Sequence, residues 1–145
     1  MPIRNHIEAI VQQIDSNLHF AYGTANELNQ LADSMTFPCA FMYTVQPVIL
    51  SPQINGAVDN LFTFYIEFLY KTEFGQYTSD NETYVAQALQ MANRFIVQAA
   101  KYRNGEVRFF KVKAGDKAQC VPVYNKFDVN TTGIGLTITL ATANS

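Results

Sequence analysis

The chain has 145 residues, 48% of them hydrophobic and 15% charged, with a net charge of −2. That length fits one ordinary domain, able to bury roughly two-thirds of the surface its unfolded form exposes. So little charge on a small protein points to surface hidden in an assembly, and a slightly acidic balance argues against sequence-specific nucleic-acid binding, which needs clustered Lys and Arg.

Residues 3–18 place Ile3, Ile7, Ile10, Val11, Ile14 and Leu18 at three- and four-residue steps, one stripe of an amphipathic helix. Pro2 is acceptable at its start, and Asp15-Ser16-Asn17 should end it, because their side chains compete for backbone groups. In "HFAYGTANELNQLADSM", residues 19–35, Gly23 is a break, and Thr24 with Glu27 has capping-box spacing, predicting a short helix over 25–33. After Pro38 the run from Cys39 to Val45 reads as a strand. A 14-residue connection follows at 46–59, "QPVILSPQINGAVD", marked by Pro47, Pro52 and Gly56. Connections of that length are more often functional or disordered than incidental. This one carries Val48, Ile49, Leu50, Ile54 and Val58, so it either folds back on the domain or docks on another chain.

The segment "NLFTFYIEFLY", residues 60–70, alternates. Phe62, Phe64, Ile66, Phe68 and Tyr70 fall on one face; Leu61, Thr63, Tyr65, Glu67 and Leu69 fall on the other, as a strand requires. Residues 79–103 predict the main helix, with Ser79 and Glu82 as a capping pair and Val85, Leu89, Ala92, Phe95, Ile96 and Ala99 as the buried stripe. Asn104-Gly105 supplies its stop. Three strands are predicted after it: 106–113, with a bulge at Phe109-Phe110; 119–124, which Pro122 sends to a sheet edge; and 132–141. The order describes a single α+β domain over 1–145. Its mostly antiparallel sheet has about five strands, and two main helices pack on one face. No internal repeat, low-complexity tract or linker interrupts it.

Chemical motifs are sparse. Cys39 and Cys120 lack CxxC spacing and read as core thiols of a reducing compartment. "MPIRNHIEAI" has no apolar stretch of the secretory type, and no run of about 18 apolar residues occurs, so the chain is expected to be soluble, inside a cell or on a particle. His6 lies off the stripe of the first helix and His19 beyond its end; no His, Cys or carboxylate spacing describes a metal site. His6–Cys39 and His19–Cys120 pairs are the remaining nucleophilic options, against the simpler reading of core thiols and surface imidazoles. Gly133-x-Gly135 precedes a strand rather than opening a helix, so it is not a phosphate cradle. No catalytic residue, cofactor or metal is expected. Lys101, Arg103, Arg108, Lys111, Lys113 and Lys117, diluted by Glu106 and Asp116, read as a solvated face.

The aromatics divide by strand face. Phe62, Phe64, Ile66 and Phe68 lack interleaved Lys or Arg and read as core, not as a base-stacking platform. On the other face, Leu61, Tyr65 and Leu69 are too apolar for open solvent and Glu67 too polar for a dry core. That mixture suits a protein–protein contact, with Tyr65 and Glu67 at its centre.

Taken in order, the elements resemble small phage proteins of the tail end or head–tail joint, the tail terminator, tail-completion and minor tail proteins. The resemblance rests on a first helix ending in "HFAYGTANELNQ", the Pro-led strand "FPCAFMY", the long connection, the helix introduced by "TSDNETYVAQALQMANRFI", and the closing strand "FDVNTTGIGLTITL". It covers most of the chain, and the low charge with abundant Asn and Gln looks like tail proteins of Bacteroidetes phages, including crAss-like ones. It implies a non-enzymatic virion protein of the tail or neck, present in the host cytoplasm during assembly. Such proteins form a homo-oligomeric ring, a hexamer or else a dodecamer, that meets other tail or neck proteins and whose lumen passes DNA. By position, loop 46–59 would be the partner-contacting element, giving Val48, Ile49, Leu50, Ile54, Asn55 and Val58 as candidate interface residues beside Tyr65 and Glu67. A strong acidic patch, expected of a DNA-conducting lumen, is lacking. Two other readings stand beside it: a small α+β binding module for an apolar ligand or protein partner, and an enzyme built on His6 or His19.

Overall fold

Two long strands carry the sheet. In a computed structural model, which describes residues 2–44, 48–73, 77–104, 107–110 and 118–144, β4 (Val58–Lys71) pairs antiparallel with β8 (Thr131–Asn144) over the full length of both. The pairing runs from Val58↔Asn144 to Lys71↔Thr131 and sets Phe64 opposite Ile138, Ile66 opposite Leu136 and Phe68 opposite Ile134. Bulky apolar residues thus meet across strands on one face, where cross-strand contacts stabilise the pair. On the other face Glu67 stands opposite Gly135 and Leu69 opposite Gly133. A Cβ at position 135 would lie 2.0 Å from the Tyr65 hydroxyl, so the glycine is what lets the Tyr65 ring lie across β8.

The remaining strands add to this pair. The outer edge of β4 takes β2 (Cys39–Tyr43) along residues 66–69 and β3 (Ile49–Pro52) along residues 58–61, both antiparallel. The outer edge of β8 takes β7 (Gln119–Lys126), and farther along β6 (Val107–Phe110), which pairs in turn with β5 (Arg103–Asn104). β1 (His19–Gly23) lies parallel to β2, and α2 (Ala25–Ala32) connects them as a βαβ unit. The order is β1-β2-β4-β8-β6-β5, with β3 beside β4 and β7 beside β8. The protein is α+β with a mostly antiparallel sheet, carrying more strands than the five expected.

Helices cover both faces. α1 (Ile3–Ile14) and α3 (Thr78–Lys101) bury Ile7, Ile10, Val11, Ala88, Met91, Ala92, Phe95 and Ala99 against Phe64, Ile66, Phe68, Ile134, Leu136, Ile138 and Leu140. Two main helices on one face is the predicted arrangement. α2 buries Leu28 and Ala32 on the opposite face, against Cys39, Phe41 and Leu69, with Phe127 and Val129 closing the edge.

Local signals act largely where the sequence places them. α1 stops before Asp15, whose carboxylate accepts from the Asn17 N–H at 2.9 Å. Thr24 caps α2 by accepting the Glu27 N–H. α3 begins one residue before Ser79, and its opening bond runs from the Tyr77 N–H to the Asp80 carboxylate at 3.0 Å, not through Ser79 and Glu82. Strand β1 has no counterpart in the sequence reading, because five residues ending in Gly23 alternate too briefly to register. The described part of the predicted 106–113 strand is β6, whose pairs with Thr142 and Ala141 are consecutive; the register shift falls in β7, between Val123 and Lys126. Positions 105–106 and 111–113 lie outside the described residues, as do Val45 at the end of the predicted 39–45 strand and positions 46–47 of the connection.

Candidate functional site

The 46–59 connection is mostly a hairpin. β3 ends at Pro52, a turn reverses the chain, and β4 begins at Val58. The turn is fully engaged: the Gln53 N–H reaches the Ala57 carbonyl at 2.8 Å, the Gly56 N–H reaches the Gln53 carbonyl, and the Ala57 N–H reaches the Asn55 side-chain oxygen. Gly56 sits at φ +85°, where an L side chain is strained. From Gln53 the side-chain amide ties Ser51 to Asp59 across the base of the turn. A built hairpin therefore holds its apolar residues outward. Ile49 is 58% exposed, Leu50 is 64% exposed and Ile54 at the tip is fully exposed; Val48 and Asn55 are exposed too, and Val58 is half-buried. Among the described residues β3 pairs only with β4, so its outer edge presents free backbone donors and acceptors. Tertiary support for so much exposed Ile and Leu on a free edge is lacking within these residues, and a second chain is the usual remedy.

Glu67 presents a different arrangement. Expected on a partner-facing surface, it has no exposed area and is held inside the chain. Its carboxylate accepts from the Tyr43 hydroxyl at 2.5 Å on one oxygen, and on the other from the Tyr65 hydroxyl at 2.9 Å and the Lys126 ammonium at 2.8 Å. The strand geometry explains the grouping: Tyr65 is two residues before Glu67 on the same face of β4, Tyr43 comes from the end of neighbouring β2, and Lys126 ends β7 just past the register shift. The Lys126 ammonium also lies 5.0, 5.9 and 5.3 Å from the ring centres of Tyr43, Tyr65 and Phe127, cation–π distances. Burial first, and then the hydrogen bond to Glu67 together with its charge, push the Tyr43 and Tyr65 hydroxyls up from their ordinary range, so both stay protonated and donate. A buried carboxylate is costly without partners; here three converge on it. Tyr65 itself is half-buried.

The turn that delivers Lys126 is firmly tied. Asn125, Phe127 and Asn130 have positive φ, which is uncommon for Asn and a genuine outlier for Phe. The Asn130 amide donates to the Thr72 and Glu73 carbonyls, Asn29 and Asp128 exchange two hydrogen bonds, and Phe127 packs on Phe41. Sequence reasoning singled out Glu67 and Tyr65 but missed Tyr43, Lys126 and Phe127. Nothing in the sequence marks a lysine 59 positions away as the partner of Glu67, because its register is set by that turn.

The histidines and cysteines stay apart. His6, expected at the surface, is buried; its Nδ1 hydrogen-bonds the Tyr102 hydroxyl at 2.8 Å on the α1/α3 side of the sheet. Cys39 lies on the opposite face, where its thiol donates to the Thr36 carbonyl and burial pushes its pKa up to about 12. His19 and Cys120 are on β1 and β7, with β2, β4 and β8 between them. Among the described residues no three His, Cys, Asp or Glu side chains group as metal ligands, and no helix is long and apolar enough to cross a membrane. A scan against protein-family models gives no match, and a search of curated proteins finds no similar sequence.

Proposed function

We propose that the chain is a structural, non-enzymatic subunit of a phage particle that closes into a ring at the tail end or head–tail joint. The observation that carries this reading is the β3–β4 hairpin, which holds Ile49 and Leu50 in solvent on a strand edge that is free among the described residues, and Ile54 in solvent at its tip. A contact that joins this surface to a different patch on the next copy is heterologous, and a heterologous contact whose rotation closes makes a ring. The resemblance of the element order to small tail and neck proteins supplies the setting, and the low charge of the chain fits surface covered by neighbours. Buried Glu67 takes no part in this contact; the hairpin does, with Val48, Ile49, Leu50, Ile54, Asn55 and Val58 as its candidate residues. Negative-stain microscopy of the purified protein tests the reading directly: rings with a central opening support it, and a field of single small particles at high concentration, alone or mixed with tail and neck proteins, overturns it.

A further inference from the structure

The carboxylate of Glu67, itself held by the hydroxyls of Tyr43 and Tyr65, and the rings of Tyr43, Tyr65 and Phe127 surround a single ammonium, that of Lys126. An anion at hydrogen-bond distance with three aromatic rings at about 5–6 Å is how proteins recognise alkylammonium ligands. We propose that this cage is an alkylammonium-binding site whose resident occupant is the chain's own Lys126.

Three observations carry it. The anion is built in: Glu67 has no exposed area, and its position is fixed by β4 and two tyrosine hydroxyls rather than by the lysine. The occupant's place is within reach of solvent, since the Lys126 side chain is 33% exposed. The wall is shaped by the backbone as well, because Gly135 leaves the space that the Tyr65 ring fills. The chemistry also sets selectivity. The Lys126 ammonium makes a direct N–H···O bond of 2.8 Å to Glu67, which a primary ammonium reproduces and a quaternary one lacks. A primary alkylammonium is therefore the preferred class. Lysine at 126 occupies the site intramolecularly, at an effective concentration far above that of a dilute free ligand. The inference rests on this geometry alone and is independent of ring formation.

Lys126→Ala removes the γ, δ and ε carbons and the ammonium, and n-propylammonium restores those atoms. The variant should melt below the wild type, and propylammonium chloride should raise its Tm in a saturable way relative to sodium chloride at equal ionic strength. Tetramethylammonium should raise it less and 1-propanol not at all. The wild type, with its cage filled, and the Lys126→Ala/Glu67→Gln double variant should show no saturable shift. If Lys126→Ala does not fold unaided, the readout becomes recovery of its native near-ultraviolet circular dichroism with propylammonium. Absence of any propylammonium effect on Lys126→Ala, or an equal effect on the wild type or the double variant, overturns the proposal.

Discussion

Glu67 and Lys126 form an unequal pair, and substitution should reveal it. Losing the lysine leaves an uncompensated carboxylate in the interior, whereas losing the carboxylate leaves a lysine that still reaches water. Lys126→Met should cost about 2–3 kcal/mol, below the usual figure for a fully buried pair because one partner is partly solvated. Glu67→Gln, which keeps the shape and some hydrogen bonds, should cost about 1 kcal/mol. Urea denaturation of the two variants checks the order, and equal costs would mean that the interior charge is solvated by other means. Gly135→Ala belongs with them: its methyl group displaces the Tyr65 ring from Glu67, an overpacking change of about 1–3 kcal/mol by the same measurement. Titration sets both ends of the stable range. Cys39, pushed up to about 12 from 9.0, and Tyr43 and Tyr65, raised from 10.0, keep protons in the folded state that the unfolded chain releases. Their contribution is complete below pH 9 and declines above it, by about 1.4 kcal/mol per pH unit for each group that titrates in the unfolded chain alone. His6 works in the other direction: burial, more than the nearby positive chain terminus, lowers its pKa from 6.5, so stability is lost as pH falls below about 6.5. Thermal melts across pH should therefore show a plateau between those limits.

Elements divide into those that make the core and those that leave it. Phe64 is buried on β4 and meets the Phe95 ring of α3 edge-on with centroids 6.3 Å apart, so Phe64→Ala should cost about 3–5 kcal/mol in a denaturant melt. The hairpin should behave oppositely. Ile49→Ser with Leu50→Ser should alter monomer stability by no more than about 0.5 kcal/mol per site, as solvent-exposed changes do, while impairing assembly. Should shortening the 53–56 turn unfold the protein instead, the hairpin belongs to the core and its interface role fails. The same division explains what was legible in the sequence. α1, α3, β4 and β8 repeat their pattern long enough to register, and Phe64, Ile66 and Phe68 are core as the alternation requires, whereas Phe62, expected with them, is only half-buried and lies outside the core cluster. β3 falls within a connection in the sequence because four residues ending in Pro52 carry no readable period; their apolar character is legible there, but their exposure is not. The second face of β4 was legible as mixed but not in its partners. Tyr43 and Lys126 reach Glu67 only through strand order and a left-handed turn, neither of which residue chemistry encodes locally.

At the scale of the whole molecule, the sheet has a covered part and an uncovered one. α1 and α3 cover one face of β4 and β8, and α2 covers the other beside β1, β2 and Leu69, while the β3 end carries its Ile and Leu into solvent. Low charge and an apolar edge that is free among the described residues are the features that support the proposed contact through the hairpin. The proposed closure into a ring covers the β3–β4 hairpin of each subunit with its neighbour. Sedimentation velocity of the wild type beside the Ile49→Ser/Leu50→Ser variant, over a wide concentration range, tests this most directly. A ring-forming subunit gives a discrete species of several chains, six being favoured, that the double substitution converts to folded monomer. A wild type that stays monomeric throughout, or an oligomer indifferent to the substitutions, would contradict it.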